Sequence, residues 1–189
     1  MFIQTETTPN PNSLKFILDN YELCENPVEF SKMQNNIPST LANQLLNIEG
    51  IENVLFYKNS ISINKNEFAW DQLKASILQV ISNHINSGLP AFEIDELTDT
   101  ELDNVEFDKD DLKVVNSIKR IIDSKIRPAI MQDGGNIKFK KYSEGIVYLA
   151  LHGSCAGCPS ATLTLKNGVE KLLKHNIPEI KKVEQTANK

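Results

Sequence analysis

Between residues 91 and 111 the chain reads AFEIDELTDTELDNVEFDKDD, ten acidic residues against a single lysine. A stretch this charged is hard to bury, and repulsion between like charges favours an extended connector. Gly88 and Pro90, just before it, would end a preceding helix. Charge changes sign across the stretch. Residues 112–189 hold 14 Lys and Arg against 6 Asp and Glu, net +8, whereas residues 1–111 hold 6 against 19, net −13. The 189 residues are therefore read as an α+β protein: two small α+β domains, 1–90 and 111–189, joined by an acidic linker, 91–110.

The hydrophobic fraction of 40% and charged fraction of 24% are those of an ordinary globular chain. No segment is apolar over the length that spans a bilayer, so no membrane partner is expected. The N-terminal MFIQTETTPNPN has no basic region followed by an apolar one and is not Arg-rich. Neither a secretory signal nor a transit peptide is expected from it. Three cysteines are too few for a disulfide-stapled secreted domain. The expected location is a reducing cytoplasm. The basic C-terminal half has no aromatic stacking set and no groove-reading motif, so no nucleic-acid partner is expected.

In the first half, SLKFIL (13–18) reads as a strand after the turn-rich TPNPN. PSTLANQLLNIEGIENVLFYKNSISIN (38–64) reads as a capped helix, a turn at Gly50 and a hairpin around Lys58 and Asn59. In EFAWDQLKASILQVISNHINSG (67–88), Trp70, Leu73, Ile77, Val80, Ile81 and His84 recur at helical spacing. This half offers no recognisable catalytic constellation, and Trp70 is read as core.

The second half reads α-β-β-loop-α-β. DLKVVNSIKRIIDSKIRPAIMQDGG (111–135) is an amphipathic helix with Val114, Val115, Ile118, Ile121, Ile122 and Ile126 buried, expected to end or kink at Pro128. The strands NIKFKKY and GIVYLALHG follow around a turn at 143–145, then GSCAGCPS, the helix 159–176 and a final strand in PEIKKVEQ.

Cys155 and Cys158 sit three apart in a glycine-flanked loop between strand and helix. Gly153 and Gly157 allow tight turning, and Pro159 suits the first helical position. The helix N-terminus beside them is expected to lower the thiol pKa. Four readings of the pair are open. The cysteines could be small buried residues, although the glycines and helix terminus argue otherwise. Structural zinc needs four ligands, and outside the pair the chain supplies only Cys24, His84, His152 and His175. A thiol–disulfide oxidoreductase would place C-x-x-C at a helix start, but with glycine-proline inside the motif, where this chain has Ala156-Gly157. Iron–sulfur ligation normally takes four thiolates, so either Cys24 and a further group join the pair, or two chains each contribute a pair across a two-fold axis.

The residues that follow this pattern resemble a known family. The DGG turn (Asp133, Gly134, Gly135), the G-x-C-x-G-C-P-S core from Gly153 to Ser160, the helix through Glu170 and IPEI at 177–180 resemble the NifU C-terminal domain of Nfu-type iron–sulfur carriers. TPNPNSLKF (8–16), LLNIEGIENV (45–54) and the helix with Trp70 ending in SGLP resemble the Nfu N-terminal domain. The resemblance implies a scaffold or carrier, not an enzyme, that binds a [4Fe–4S] or [2Fe–2S] cluster between two subunits. Cys155 and Cys158 of each would be the iron ligands and the cluster-binding residues. It further implies a homodimer when loaded, recipient apo iron–sulfur proteins, and upstream assembly machinery as partners. Cys24 matches no ligand of the family. His84 and His175 are read as structural, and His152 as structural although close to the sulfurs. Thiol–disulfide oxidoreductase remains the alternative.

Overall fold

The computed structural model describes residues 2–92, 111–156 and 159–186, with backbone only at 159–162 and 164. The chain divides into two compact units, Met1–Thr100 and Glu101–Lys189, each mixed α+β.

The first unit is a five-stranded antiparallel sheet with two helices on one face. Its strands are β1 (Ile3–Thr7), β2 (Ser13–Leu18), β3 (Cys24–Ser31), β4 (Ile51–Lys58) and β5 (Ser60–Lys65). Their order across the sheet is β1-β2-β5-β4-β3. Helices α1 (Thr40–Leu46) and α2 (Trp70–Asn86) complete it. Strand alternation sends Phe16 and Leu18 of β2, Val54 and Phe56 of β4, and Ile61 and Ile63 of β5 into the core with Leu41 and Leu45 of α1 and Ile77 and Ile81 of α2. Ser39 caps α1, its side chain accepting from the Ala42 N–H at 3.1 Å. The hairpin at Lys58 and Asn59 forms as the sequence suggests, with Lys58 at φ +50°.

Two strands escape the sequence reading. β1, IQTET, is a largely exposed edge strand, so it lacks an apolar alternation. β3, on the other edge, contains Pro27 and a register shift between Cys24 and Val28, which is where a sheet tolerates proline. Trp70 is only partly buried. Its indole N–H donates to the Pro11 carbonyl at 3.0 Å, and the Lys65 ammonium stands over the ring. It clamps the TPNPN turn while packing against the edge of the first core.

The second unit runs α3 (Leu112–Ile121), a π-helical turn (Ile122–Ile126), α4 (Arg127–Gln132), β6 (Gly135–Ser143), β7 (Ile146–Gly153), α5 (Pro159–Asn176) and β8 (Lys182–Gln185). Its apolar residues Ile118, Ile122, Ile126 and Ile130 recur every four positions, all buried. On an ideal helix that spacing drifts by about 40° per step, and the wider π turn takes up the drift. Pro128, expected to break the helix, lies in the first turn of α4 immediately after it. These isoleucines cover Ile137 and Phe139 of β6, Val147, Leu149 and Leu151 of β7, and Val169 and Leu173 of α5. Burying each such side chain contributes about 1.5–3 kcal/mol.

The sheet order is β6-β7-β8. β6 and β7 form an antiparallel hairpin through Glu144 (φ +53°) and Gly145 (φ +85°), the pair of positive φ values that a type I′ turn requires. β7 and β8 are parallel, Val147 opposite Val183, with α5 as the crossover. β8 is shorter than expected because the chain turns at Pro178 and Glu179, where the Ile180 N–H donates to the Ile177 carbonyl at 3.1 Å. The cysteine loop thus leaves the carboxyl end of the central strand and enters the N-terminus of the crossover helix. No helix among the described residues is long and apolar enough to cross a membrane.

Candidate functional site

Two reversals of the chain meet at the end of β7. Helix α4 stops at Asp133, and Gly134 at φ +76° donates its N–H to the Met131 carbonyl at 3.1 Å. The next residue, Gly135, opens β6 directly opposite Gly153, the last residue of β7. Gly153, at φ +59°, turns the chain back over this crossing. Ser154 then fastens the turn twice. Its N–H donates to the Gly134 carbonyl at 3.1 Å and its hydroxyl to the Asp133 carbonyl at 2.6 Å. The Ala156 N–H closes the loop onto the Gly153 carbonyl at 3.0 Å. The DGG turn is therefore the floor beneath the cysteine loop, held to it by bonds spanning about twenty residues of sequence.

Cys155 lies on this floor, half-buried and packed against the second core. Its thiol is pushed up to about 11, chiefly by burial, with the Asp133 charge adding to the rise and the Ser154 hydrogen bond opposing it. The sequence reading expected a lowered thiol pKa from the helix N-terminus. At Cys155 burial wins, because α5 begins only at Pro159. Cys158 and Gly157 lie outside the described residues, as do residues 93–110 of the acidic stretch.

The other candidates separate from this site in different ways. Cys24 belongs to the first unit, at the start of β3, where burial also pushes its thiol up to about 11 against opposing backbone bonds from Lys58 and Val28. His84 is buried on α2, with its pKa lowered by desolvation. His152 is opposite Asn136 on β7, and alternation puts it on the strand face away from Leu151 and the core. His175 is exposed in the last turn of α5. Among the described residues no three His, Cys, Asp or Glu side chains are grouped to hold a metal ion.

Ser154 is the residue that sequence reasoning missed. Its hydroxyl bonds to the Asp133 carbonyl, and no local pattern announces a partner that distant. Glu170, named only as part of a motif, also has a structural task. One carboxylate oxygen accepts from the Val183 N–H at 2.9 Å and the other from Lys174 at 2.6 Å. These bonds hold its carboxyl below the ordinary range.

Comparison with known proteins finds a family match for each half of the chain. The family model "NifU-like domain" matches residues 118–184, and "Scaffold protein Nfu/NifU N terminal" matches residues 3–88. A relative from Homo sapiens, the NFU1 iron-sulfur cluster scaffold homolog, mitochondrial, is 41% identical over 187 residues, 98% of this chain and 72% of the relative. The protein of the same name from Drosophila willistoni is 42% identical over 188 residues, 98% of this chain but 63% of the relative. A solution structure of a NifU-like protein from Saccharomyces cerevisiae is similar to 50% of this chain and 86% of that one, at 25% identity and TM-score 0.45.

The relatives overturn the expected cytoplasmic location, since both are named mitochondrial. That expectation rested on a reducing environment for the thiols, a condition that does not single out the cytoplasm. With both halves matched in order and two-fifths of its residues shared along nearly its whole length, the chain belongs to the Nfu family of iron–sulfur cluster scaffold proteins.

Proposed function

We propose that the chain carries an iron–sulfur cluster as cargo, held by Cys155 and Cys158 of two copies and passed to apo iron–sulfur proteins. The observation that carries this reading is the seating of Cys155. It sits at the carboxyl end of the central strand, fixed from below by the Ser154 bonds to Asp133 and Gly134. A ligand must be held in one direction to bind metal well. The donor count supports the dimer. A [4Fe–4S] cluster takes four thiolates, and the chain has three cysteines, two of them in the loop. The relatives' printed names, iron-sulfur cluster scaffold homologs, support the cargo.

The chemistry is ligand exchange. A recipient's cysteine gives up its proton and binds an iron as thiolate, while the Cys155 or Cys158 sulfur leaves that iron and takes up a proton. No electron moves and the cluster is unchanged, so the process is a transfer and not catalysis. Burial of Cys155 favours the neutral thiol after release. Loading correspondingly expels a proton. The cluster is read as [4Fe–4S], with [2Fe–2S] as the smaller alternative. The upstream assembly machinery would be the donor.

Anaerobic reconstitution tests this. The expected result is about four iron and four sulfide per dimer, with a holo mass twice that of the chain. A full cluster on a single protomer without added thiol overturns the shared site.

A further inference from the structure

We propose that Gly135 is a positioning residue for the cysteine loop: the space left by its missing side chain is the seat of the Cys155 sulfur. This deepens the carrier reading and rests on it for the consequence to the cluster. A Cβ placed on Gly135 would collide with the Cys155 Sγ. It would also stand 3.1 Å from the Ile130 Cγ2 and 3.2 Å from the Cys155 Cβ, tighter than ordinary contact. The collision leaves the sulfur one way out, rotation away from residue 135. Ile130 is buried in the core behind Gly135, and Cys155 has a single rotatable bond between its backbone and its sulfur. The backbone at Cys155 cannot retreat either, because Ser154 is tied to Gly134 and Asp133 by the two bonds described above.

Three features therefore converge on one atom. The Gly135–Gly153 pairing brings the strands together without side chains, the Ser154 bonds draw the loop down, and the vacant Cβ position receives the sulfur. A methyl group at residue 135 would swing the Sγ out of its seat and change the direction it presents to iron. Gly168, in the middle of α5, makes a control. A Cβ there meets nothing within 4 Å.

The test has three arms. First, with Cys24→Ser and Cys158→Ser leaving Cys155 as the sole thiol, adding Gly135→Ala is expected to raise its rate of reaction with a disulfide reagent several-fold; an unchanged rate overturns the seat. Second, the loss of Tm caused by Gly135→Ala is compared with Cys155 present and with Cys155→Ala. The loss is expected to shrink by more than half once the sulfur is gone. An equal loss in both backgrounds overturns the proposal, including the case in which the variant fails to fold in either. Third, the full chain is reconstituted with iron and sulfide. Gly135→Ala is expected to hold about a tenth of the wild-type cluster, as for residues that orient a metal ligand, while Gly168→Ala loads normally. Full loading of Gly135→Ala overturns the positioning role. If the wild-type chain itself takes up no cluster, the carrier reading fails, and the first two arms still decide whether Gly135 seats the sulfur.

Discussion

A carboxylate oxygen of Glu170 accepts the backbone N–H of Val183 at 2.9 Å, joining the crossover helix α5 to the strand it delivers. β8 is four residues long and sits at the sheet edge, where this bond adds to its parallel pairing with β7. Glu170→Ala is expected to cost about 1.5 kcal/mol, the lower end of the range for a hydrogen bond to a charged group. Glu170→Gln, which keeps an acceptor, should recover most of it. Urea unfolding measures both, and amide exchange at Val183 shows whether the loss is local. Because the folded carboxyl lies below its usual value of 4.5, this contribution is present at neutral pH. It is lost as acid protonates Glu170 below that value.

Cluster binding should separate the three cysteines. Cys155→Ser and Cys158→Ser are each expected to abolish cluster uptake, measured by iron, sulfide and visible absorbance, while Cys24→Ser leaves it intact. Loss of uptake in Cys24→Ser would mean that the ligand set has been misassigned.

The buried thiols make alkali the weak side of the apo-protein. Cys24 and Cys155 both hold their protons up to about 11, against an ordinary value of 9.0. Unfolding frees them to ionise, so the unfolded chain binds fewer protons between these two values. Stability should therefore fall as pH rises from 9 towards 11. Thermal melts across that window check it, and Cys24→Ala should flatten the slope. Iodoacetamide should label both thiols slowly at neutral pH.

Trp70→Phe removes the indole donor to Pro11 but keeps a ring under Lys65. A cost of about 1 kcal/mol in the first unit is expected, the net value of one hydrogen bond. Cluster loading should be unchanged. Melting followed by circular dichroism, with reconstitution alongside, tests both statements.

Much of this molecule is legible in its residues, for reasons that differ element by element. α2 and the two hairpins announce themselves because one buried face imposes a period. β1 does not, being exposed along most of its length, and β3 hides behind Pro27. The winding of the helix at Ile122–Ile126 is implicit in isoleucines spaced by four, yet Pro128 draws attention first. At the site, the cysteines and the DGG turn stand out as motifs. Their contact does not, because Ser154 reaches Asp133 only after a hairpin has folded between them. The direction of the Cys155 pKa was equally out of reach, since it depends on burial at a point where the helix has not yet begun.

β7 is the middle strand of its sheet, hydrogen-bonded to β6 on one side and β8 on the other. The sulfur-bearing tip is consequently rooted in a strand that is tied down along both of its edges. In the proposed carrier, cargo would arrive and depart at the tip while the root stays still, and wear at the tip need not propagate into the apolar core beneath.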